Sequence, residues 1–372
     1  MREFTDGSTA IVRGAIDAGC DFFAGYPITP ASPVLTGMMR ELPKVRGVAL
    51  QAEDEIASIG MCIGATLGGA RAMTASSGPG LSLYSENIGL AIMGEVPLVI
   101  VDVQRLGPGT GGATTVCQGD VQFARWGTSG GYPIIALAPG SIAECYGLTR
   151  RAFDLAERFR CPVFLLTDKE LNLTAATVSL EDYEEFPVRA RVHPRPAPEE
   201  DFVPYRYQPA ADVTPIGSYG EDYVLRFTGS THDERAFITK EPRTVGELNR
   251  HLVAKIEEHT DEIELVRADL QPGATTLVVS YGVTAGAVRE AVQSHRRAGG
   301  VVSALTIQSL WPVPERAIRR ALRDVHRVIV AELNDGQYRR EIERLAHSAE
   351  VVGLHRVDGE LISPKELEEA FA

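Results

Sequence analysis

The chain has few cysteines, five in 372 residues. Cys20, Cys62, Cys117, Cys145 and Cys161 stand singly, with no CxxC pair and an odd count. That pattern excludes a disulfide framework and argues against a zinc site or an iron–sulfur cluster held by this chain alone. Long apolar runs are also missing. Pro97-Leu98-Val99-Ile100-Val101 is among the longest and is far too short to span a bilayer. The start, Met1-Arg2-Glu3-Phe4-Thr5-Asp6, lacks the apolar stretch of a secretory signal, so a cytoplasmic protein is expected. Positive charge is in deficit: 37 Lys and Arg against 50 Asp and Glu leave a net −13. Such a surface disfavours nucleic acid and anionic membranes.

What is present is ordinary for a globular protein, with 44% hydrophobic and 23% charged residues. A chain of 372 residues suggests two domains. The 36 glycines and 22 prolines are spread along it, without low-complexity tracts or a fixed repeat. Strand and helix patterns alternate. Asp6 can cap a helix over 7–18, and a strand then leads into Tyr26 and Pro27. Helices are expected over 31–41, 54–67, 82–93 and 141–158, with strands over 48–50, 71–75, 97–103, 133–137 and 162–167. This βαβ series predicts a mainly parallel sheet covered on both faces. Residues 188–200 are proline-rich and charged and read as a linker or extended arm. A helical stretch over 245–261 leads into a second α/β unit. Its strands are expected over 275–281, 301–306, 326–332 and 351–354, and its helices over 284–297, 314–325 and 336–346.

The segment Ala24-Gly25-Tyr26-Pro27-Ile28-Thr29-Pro30 stands just past a strand end, where open α/β sheets bind ligands. Its two prolines predict a rigid turn presenting Thr29, although Thr29 as a simple helix cap fits equally well. In Gln51-Ala52-Glu53-Asp54-Glu55, three acids precede a helix of small and apolar residues, Ile56 to Ala65. Glu53 and Asp54 suit the positive end of a helix dipole. Glu55 leads into an expectedly buried, closely packed helix, where desolvation would favour its neutral form. A solvated first-turn acid is the plainer alternative. Ser76-Ser77-Gly78-Pro79-Gly80 follows a strand; it is either a compact turn or a loop that admits a ligand close to the backbone. Arg105, at the end of a buried strand, can clamp a carboxylate or make a rim ion pair. Gly107-Pro108-Gly109-Thr110-Gly111-Gly112 satisfies G-x-G-x-x-G, but Pro108 and the non-helical Ala113-Thr114-Thr115-Val116 argue against a dinucleotide site. Thr231-His232-Asp233-Glu234-Arg235 reads as a polar loop rather than a metal site.

Taken in order, Gly25–Pro30, Gln51–Glu55, Thr74–Gly80, Glu86-Asn87-Ile88-Gly89, Pro97–Arg105 and Gln118-Gly119-Asp120 resemble the alpha subunit of the 2-oxoacid:ferredoxin oxidoreductases, most closely the 2-oxoglutarate (2-oxoglutarate synthase) type. Phe227-Thr228-Gly229, His232-Asp233-Glu234 and Glu332-Leu333-Asn334-Asp335-Gly336-Gln337 extend the resemblance into the second half. The resemblance implies a pyrimidine-binding domain of thiamine-diphosphate enzymes over 1–190. A linker or arm over 191–261 and a transketolase C-terminal-like α/β domain over 262–372 would follow. It implies that Glu55, counted back from Gly64, is the catalytic glutamate that hydrogen-bonds N1′ of the aminopyrimidine. Thr29 and Arg105 would bind the substrate 1-carboxylate, and Tyr26, Pro27, Ser77, Gly78 and Asn87 would lie at the cofactor. No metal ligand is assigned to this chain. It lacks Gly-Asp-Gly, so a beta subunit is expected to carry Mg²⁺, the diphosphate site and a [4Fe–4S] cluster, completing a shared thiamine diphosphate site. The implied reaction is CoA-dependent oxidative decarboxylation of 2-oxoglutarate with ferredoxin as electron carrier, or the reverse carboxylation of succinyl-CoA, in a dimer of alpha–beta heterodimers. The fused gamma domain of some members is not expected, because the first helix begins almost at Met1. The alternatives are a subunit for pyruvate or a branched-chain 2-oxoacid, half of a non-redox decarboxylase, a non-catalytic assembly subunit, or an NAD dehydrogenase resting on the decoy glycines. Arg40 and Arg125 are available for a distal carboxylate without a placement for either. Many members start the first helix with Gly-Asn; here it is Gly7-Ser8.

Overall fold

A computed structural model describes residues 2–180, 186–194 and 202–371; the part of the proline-rich arm at 195–200 lies outside the described residues. Strand β1 (Arg2–Asp6) ends on a carboxylate that accepts from Thr9 N at 2.7 Å and so starts helix α1 (Gly7–Asp17). There follow β2 (Phe22–Gly25), α2 (Ser32–Glu41), β3 (Val48–Gln51), α3 (Glu55–Leu67), β4 (Ala72–Ser76), α4 (Gly78–Leu83), α5 (Ser85–Met93) and β5 (Leu98–Gln104). The first half ends with α6 (Val121–Trp126), β6 (Ile135–Leu137), α7 (Ile142–Phe159), β7 (Pro162–Asp168), α8 (Lys169–Leu173) and β8 (Ala175–Ser179). The second half has α9 (Pro242–Glu257), α10 (Thr260–Ile263), β9 (Val266–Asp269), β10 (Thr276–Ser280), α11 (Thr284–Arg297), β11 (Ser303–Ile307) and β12 (Ser309–Trp311). It closes with α12 (Glu315–Ala321), β13 (Arg327–Glu332), α13 (Arg339–Glu343), β14 (Glu350–His355) and α14 (Pro364–Phe371).

The first sheet runs β12-β6-β7-β5-β4-β2-β3, and the second runs β14-β13-β10-β11-β9. Neighbours in the first are parallel except β12, which joins β6 antiparallel. One face of it, with Met73, Val99, Val101 and Val103, packs on α1, α2 and α7. The other, with Ala72, Leu98 and Ile100, packs on α3 and α5 and runs into the core of the second half through Trp311, Tyr281 and Tyr338. The expected parallel sheet with helices on both faces is therefore present.

Several elements differ from the sequence reading. The glycine-rich stretch after β4 is already helical from Gly78, and the expected helix over 82–93 is two helices meeting at Tyr84. The expected helix over 336–346 shortens to Arg339–Glu343, because Gly336 sits at φ +73° and the Glu332 carboxylate accepts from Tyr338 N and Arg339 N. Strands β1 and β8 pair antiparallel and were invisible locally, since both are short, lack a clear apolar alternation and are stabilised by each other. Strand β12, three residues long, carries the second half into the first sheet.

The arm is tied down by a buried charge cluster. Glu95, His251, Lys255 and Arg160 are each no more than 3% exposed. Glu95 accepts from Lys255 Nζ at 2.8 Å and hydrogen-bonds His251 Nε2 at 2.9 Å. Arg160 donates to Pro204 O and Thr214 Oγ1 of the arm. Burial pushes the Glu95 carboxyl up, but Lys255, Arg160 and His251 outweigh it and hold it well below the usual range. The stability it confers is complete above its ordinary value of 4.5 and is lost as pH falls through its depressed folded value. Glu95→Gln strands buried positive charge and is expected to cost about 3–5 kcal/mol in denaturant unfolding at pH 7. The penalty should shrink on acidification.

Candidate active site

The site lies at the carboxyl ends of β2, β4 and β5, where open α/β sheets place ligands. Asp54 caps α3, accepting from Ala57 N at 2.7 Å. Glu53 is exposed, whereas Glu55, the first helical residue, is 7% exposed. Its backbone carbonyl accepts from Ser58 Oγ at 2.9 Å. Ser58 in turn meets the Tyr84 hydroxyl, which lies 2.8 Å from Thr74 Oγ1 on β4. This buried hydroxyl chain pins the start of α3 to the sheet, and burial raises the Tyr84 phenol. A Cβ on Gly80 would sit 2.6 Å from Glu55 Oε1 and closer still to Ser76 Oγ, so only glycine lets the carboxyl reach its position. The Glu55 carboxyl makes no hydrogen bond to any described residue.

Arg105 is 6% exposed and donates from Nη1 to Thr29 O at 2.6 Å; its Nε is buried without a partner. The turn after β2 thus brings Thr29 to Arg105 through its carbonyl, and leaves Tyr26, Pro27 and the Thr29 side chain exposed. Ser77 is fully buried with an unpartnered Oγ, next to Gly78 at the start of α4. Asn87 is half-buried on α5 and hydrogen-bonds none of them. Arg40 is engaged with Glu41, and Arg125 donates to Gly131 O and Tyr132 O.

Two residues of the cleft went unassigned in the sequence reading. Asp102 is fully buried on β5, and Asp120, before α6, brings its carboxyl beside Gly78. A carboxylate interrupting the apolar run Leu98–Val103 was the available signal. The Asp120 segment is clasped by the second half: Gln118 N donates to Leu333 O, Asn334 Nδ2 to Gln118 O and Gln337 Nε2 to Gly119 O.

Helix α3 is not closely packed all round, as its small residues suggested. Ile56 and Met61 are 51% and 42% exposed, and a Cβ on Gly60 or Gly64 would meet nothing within 4 Å. The face was read as buried because small apolar residues look alike in a core and on an open contact surface. Gly107–Gly112 forms a loop, closed by Gly112 N to Leu106 O, in which Gly111 at φ +48° abuts that carbonyl; no helix opens from it. His232 is a buried loop residue bonded to Ser230 O and packed on the Tyr205 ring. Ser8 Oγ donates to Asn172 O, a packing role at the first helix.

Ser77 Oγ and Arg105 Nε are thus buried polar atoms without a partner. The fold is shared with a split-gene transketolase, which superposes with a TM-score of 0.56 over 98% of this chain and 95% of that chain, at 11% identity. Residues 13–250 match the family model "Pyruvate flavodoxin/ferredoxin oxidoreductase, thiamine diP-bdg", and residues 274–367 match "Pyruvate:ferredoxin oxidoreductase core domain II". The chain belongs to the pyruvate flavodoxin/ferredoxin oxidoreductase family. The 2-oxoglutarate synthase subunit KorA of Methanocaldococcus jannaschii is 42% identical over 99% of this chain and 98% of its own length. The 2-oxoglutarate:ferredoxin oxidoreductase of Magnetococcus marinus, solved with 2-oxoglutarate, coenzyme A and succinyl-CoA bound, superposes with a TM-score of 0.92 at 31% identity. That match covers 99% of this chain and 64% of the longer relative.

Proposed function

We propose that this chain is the alpha-type half of a thiamine-diphosphate-dependent 2-oxoglutarate:ferredoxin oxidoreductase, acylating CoA and working only with a beta-type partner. The observation that carries the reading is the buried Glu55 carboxyl, free of hydrogen bonds to the described residues and held against Gly80 at the start of α3. Glu55 would hold the aminopyrimidine N1′ by a hydrogen bond, with Tyr26, Pro27, Ser77, Gly78 and Asn87 around the cofactor. When bound, the cofactor supplies a nucleophilic carbon and an electron sink for decarboxylation. Glu55 retains and returns a proton at N1′, a task that needs a dry carboxyl. Arg105 and Thr29 orient the substrate 1-carboxylate. Residues 1–190 form the pyrimidine-binding domain in this reading, with 191–261 as connector and 262–372 as the interfacial domain.

The open face of α3, with Ile56, Gly60, Met61 and Gly64, lies directly beside the site and supports a partner that closes it. We assign to that partner the Mg²⁺, the diphosphate and the [4Fe–4S] cluster, in a cytoplasmic dimer of alpha–beta heterodimers. No helix among the described residues is long and apolar enough to cross a membrane. The test is co-expression with the adjacent family-like reading frame and an assay of CoA-dependent ferredoxin reduction. Turnover with 2-oxoglutarate above pyruvate and 2-oxoisovalerate supports the proposal; a complex inert with all three overturns it.

A further inference from the structure

We propose that Gln118 and Gln337 are positioning residues for the 2-oxoacid carboxylate. Together they fasten residues 115–120 to the second half, and that segment fixes the backbone on either side of Arg105. The proposal rests on the reading of Arg105 given above.

Arg105 stands just past the sheet. The pairing of β5 with β4 ends at Asp102, and its pairing with β7 ends at Gln104. The strand ladder therefore does not set the direction in which the guanidinium leaves the backbone. Residues 115–120 take over that task. Gln104, the residue before, is held by a bridge: its Nε2 donates to Thr167 O on β7 at 3.2 Å, and its Oε1 accepts from Asp120 N at 3.1 Å. Leu106, the residue after, donates from its N–H to Thr115 O at 2.9 Å. Both neighbours of Arg105 are thus held by the two ends of one short segment. At the far end of the side chain Nη1 is committed to Thr29 O, so the backbone anchor decides how the remaining donors meet a planar carboxylate.

By its packing the segment belongs to the second half. Val116 is buried in a core with Val278, Val288 and Leu333. The buried Gln118 side chain enters a socket just past the carboxyl ends of β10 and β13. Its Nε2 donates to Tyr281 O at 3.0 Å, and its Oε1 accepts from Leu333 N at 3.0 Å. The socket is close-fitting: Gly282 sits at φ +57°, and a Cβ there would collide with that Nε2. Asn334 Nδ2 donates to Gln118 O at 2.7 Å, and Gln337 Nε2 donates to Gly119 O at 2.6 Å. Gln337 Oε1 also accepts from Gln122 N at 2.9 Å, at the start of α6. These partners are neutral amides and backbone groups. They set a position without adding charge beside the substrate.

The test uses the assembled complex. Gln337→Met keeps the bulk of the side chain and removes its donor and acceptor. It should raise KM for 2-oxoglutarate by roughly three- to tenfold, with kcat and the KM for CoA within about twofold, because a loosened guanidinium holds a carboxylate less well. Hydrogen exchange of the amides at 106–118 should quicken. In an Arg105→Lys background the same substitution should shift KM by less than about twofold, since both then act on one contact. Arg158→Met is the control: it breaks the 2.9 Å ion pair with Glu262, another junction of the two halves, and should leave KM alone. If Gln337→Met does not assemble, Gln122→Met, which removes the donor to Gln337 O, is read in its place. An Arg105→Lys complex with unaltered KM overturns the reading of Arg105 and this proposal with it. Where Arg105→Lys raises KM, that reading stands. The proposal alone is then overturned by unaltered KM or unaltered exchange in Gln337→Met, by additive effects of the two substitutions, or by an equal rise in Arg158→Met.

Discussion

Glu55→Gln is expected to lower turnover of the assembled complex by roughly 10²–10⁴-fold while leaving the fold and assembly intact. The amide matches the carboxyl in shape, and the Glu55 side chain makes no hydrogen bond to the protein, so nothing structural is lost. The helix start is held elsewhere, by the Asp54 cap and by the Ser58–Tyr84–Thr74 hydroxyls. Only the ability to hold and release a proton goes. The measurement is steady-state 2-oxoacid oxidation beside a thermal melt of the same preparation. Equal turnover in both proteins would show that this chain is a scaffold rather than half of a reaction centre.

Arg105→Lys is expected to reduce kcat/KM by about 1.5–3 kcal/mol, roughly ten- to hundredfold, mostly through KM. Lysine keeps the charge, so simple electrostatics predicts little change. Geometry predicts otherwise. One arm of the guanidinium is spent on Thr29 O, and Nε and the remaining arm are left for a planar carboxylate. A single ammonium cannot do both. A KM unaltered by the exchange would mean that the substrate carboxylate is held elsewhere.

Much of this was legible in the order of residues. Glu55 was picked out by its distance from Gly64 in the resemblance, while the residues alone left it open whether it is buried; the structure exposes Glu53, makes Asp54 the cap of α3 and buries Glu55 against Gly80. Arg105 was legible as a charge at the end of an apolar strand. Asp102 carried the same signal of a charge in an apolar strand. The open side of α3 was misread, since glycine and alanine spacing does not say what lies opposite.

By itself the sequence determined the alternation of strands and helices, the cap at Asp6 and the absence of a cluster-forming cysteine set. Those follow from backbone preference, capping and burial, which act over a few residues. Only the tertiary structure decided the rest: that β12 crosses into the first sheet, that Leu333, Asn334 and Gln337 grip the segment bearing Asp120, and that one face of α3 is left open. These are contacts between residues far apart in the chain, and their energy comes from packing and paired polar groups that exist only once both halves have met.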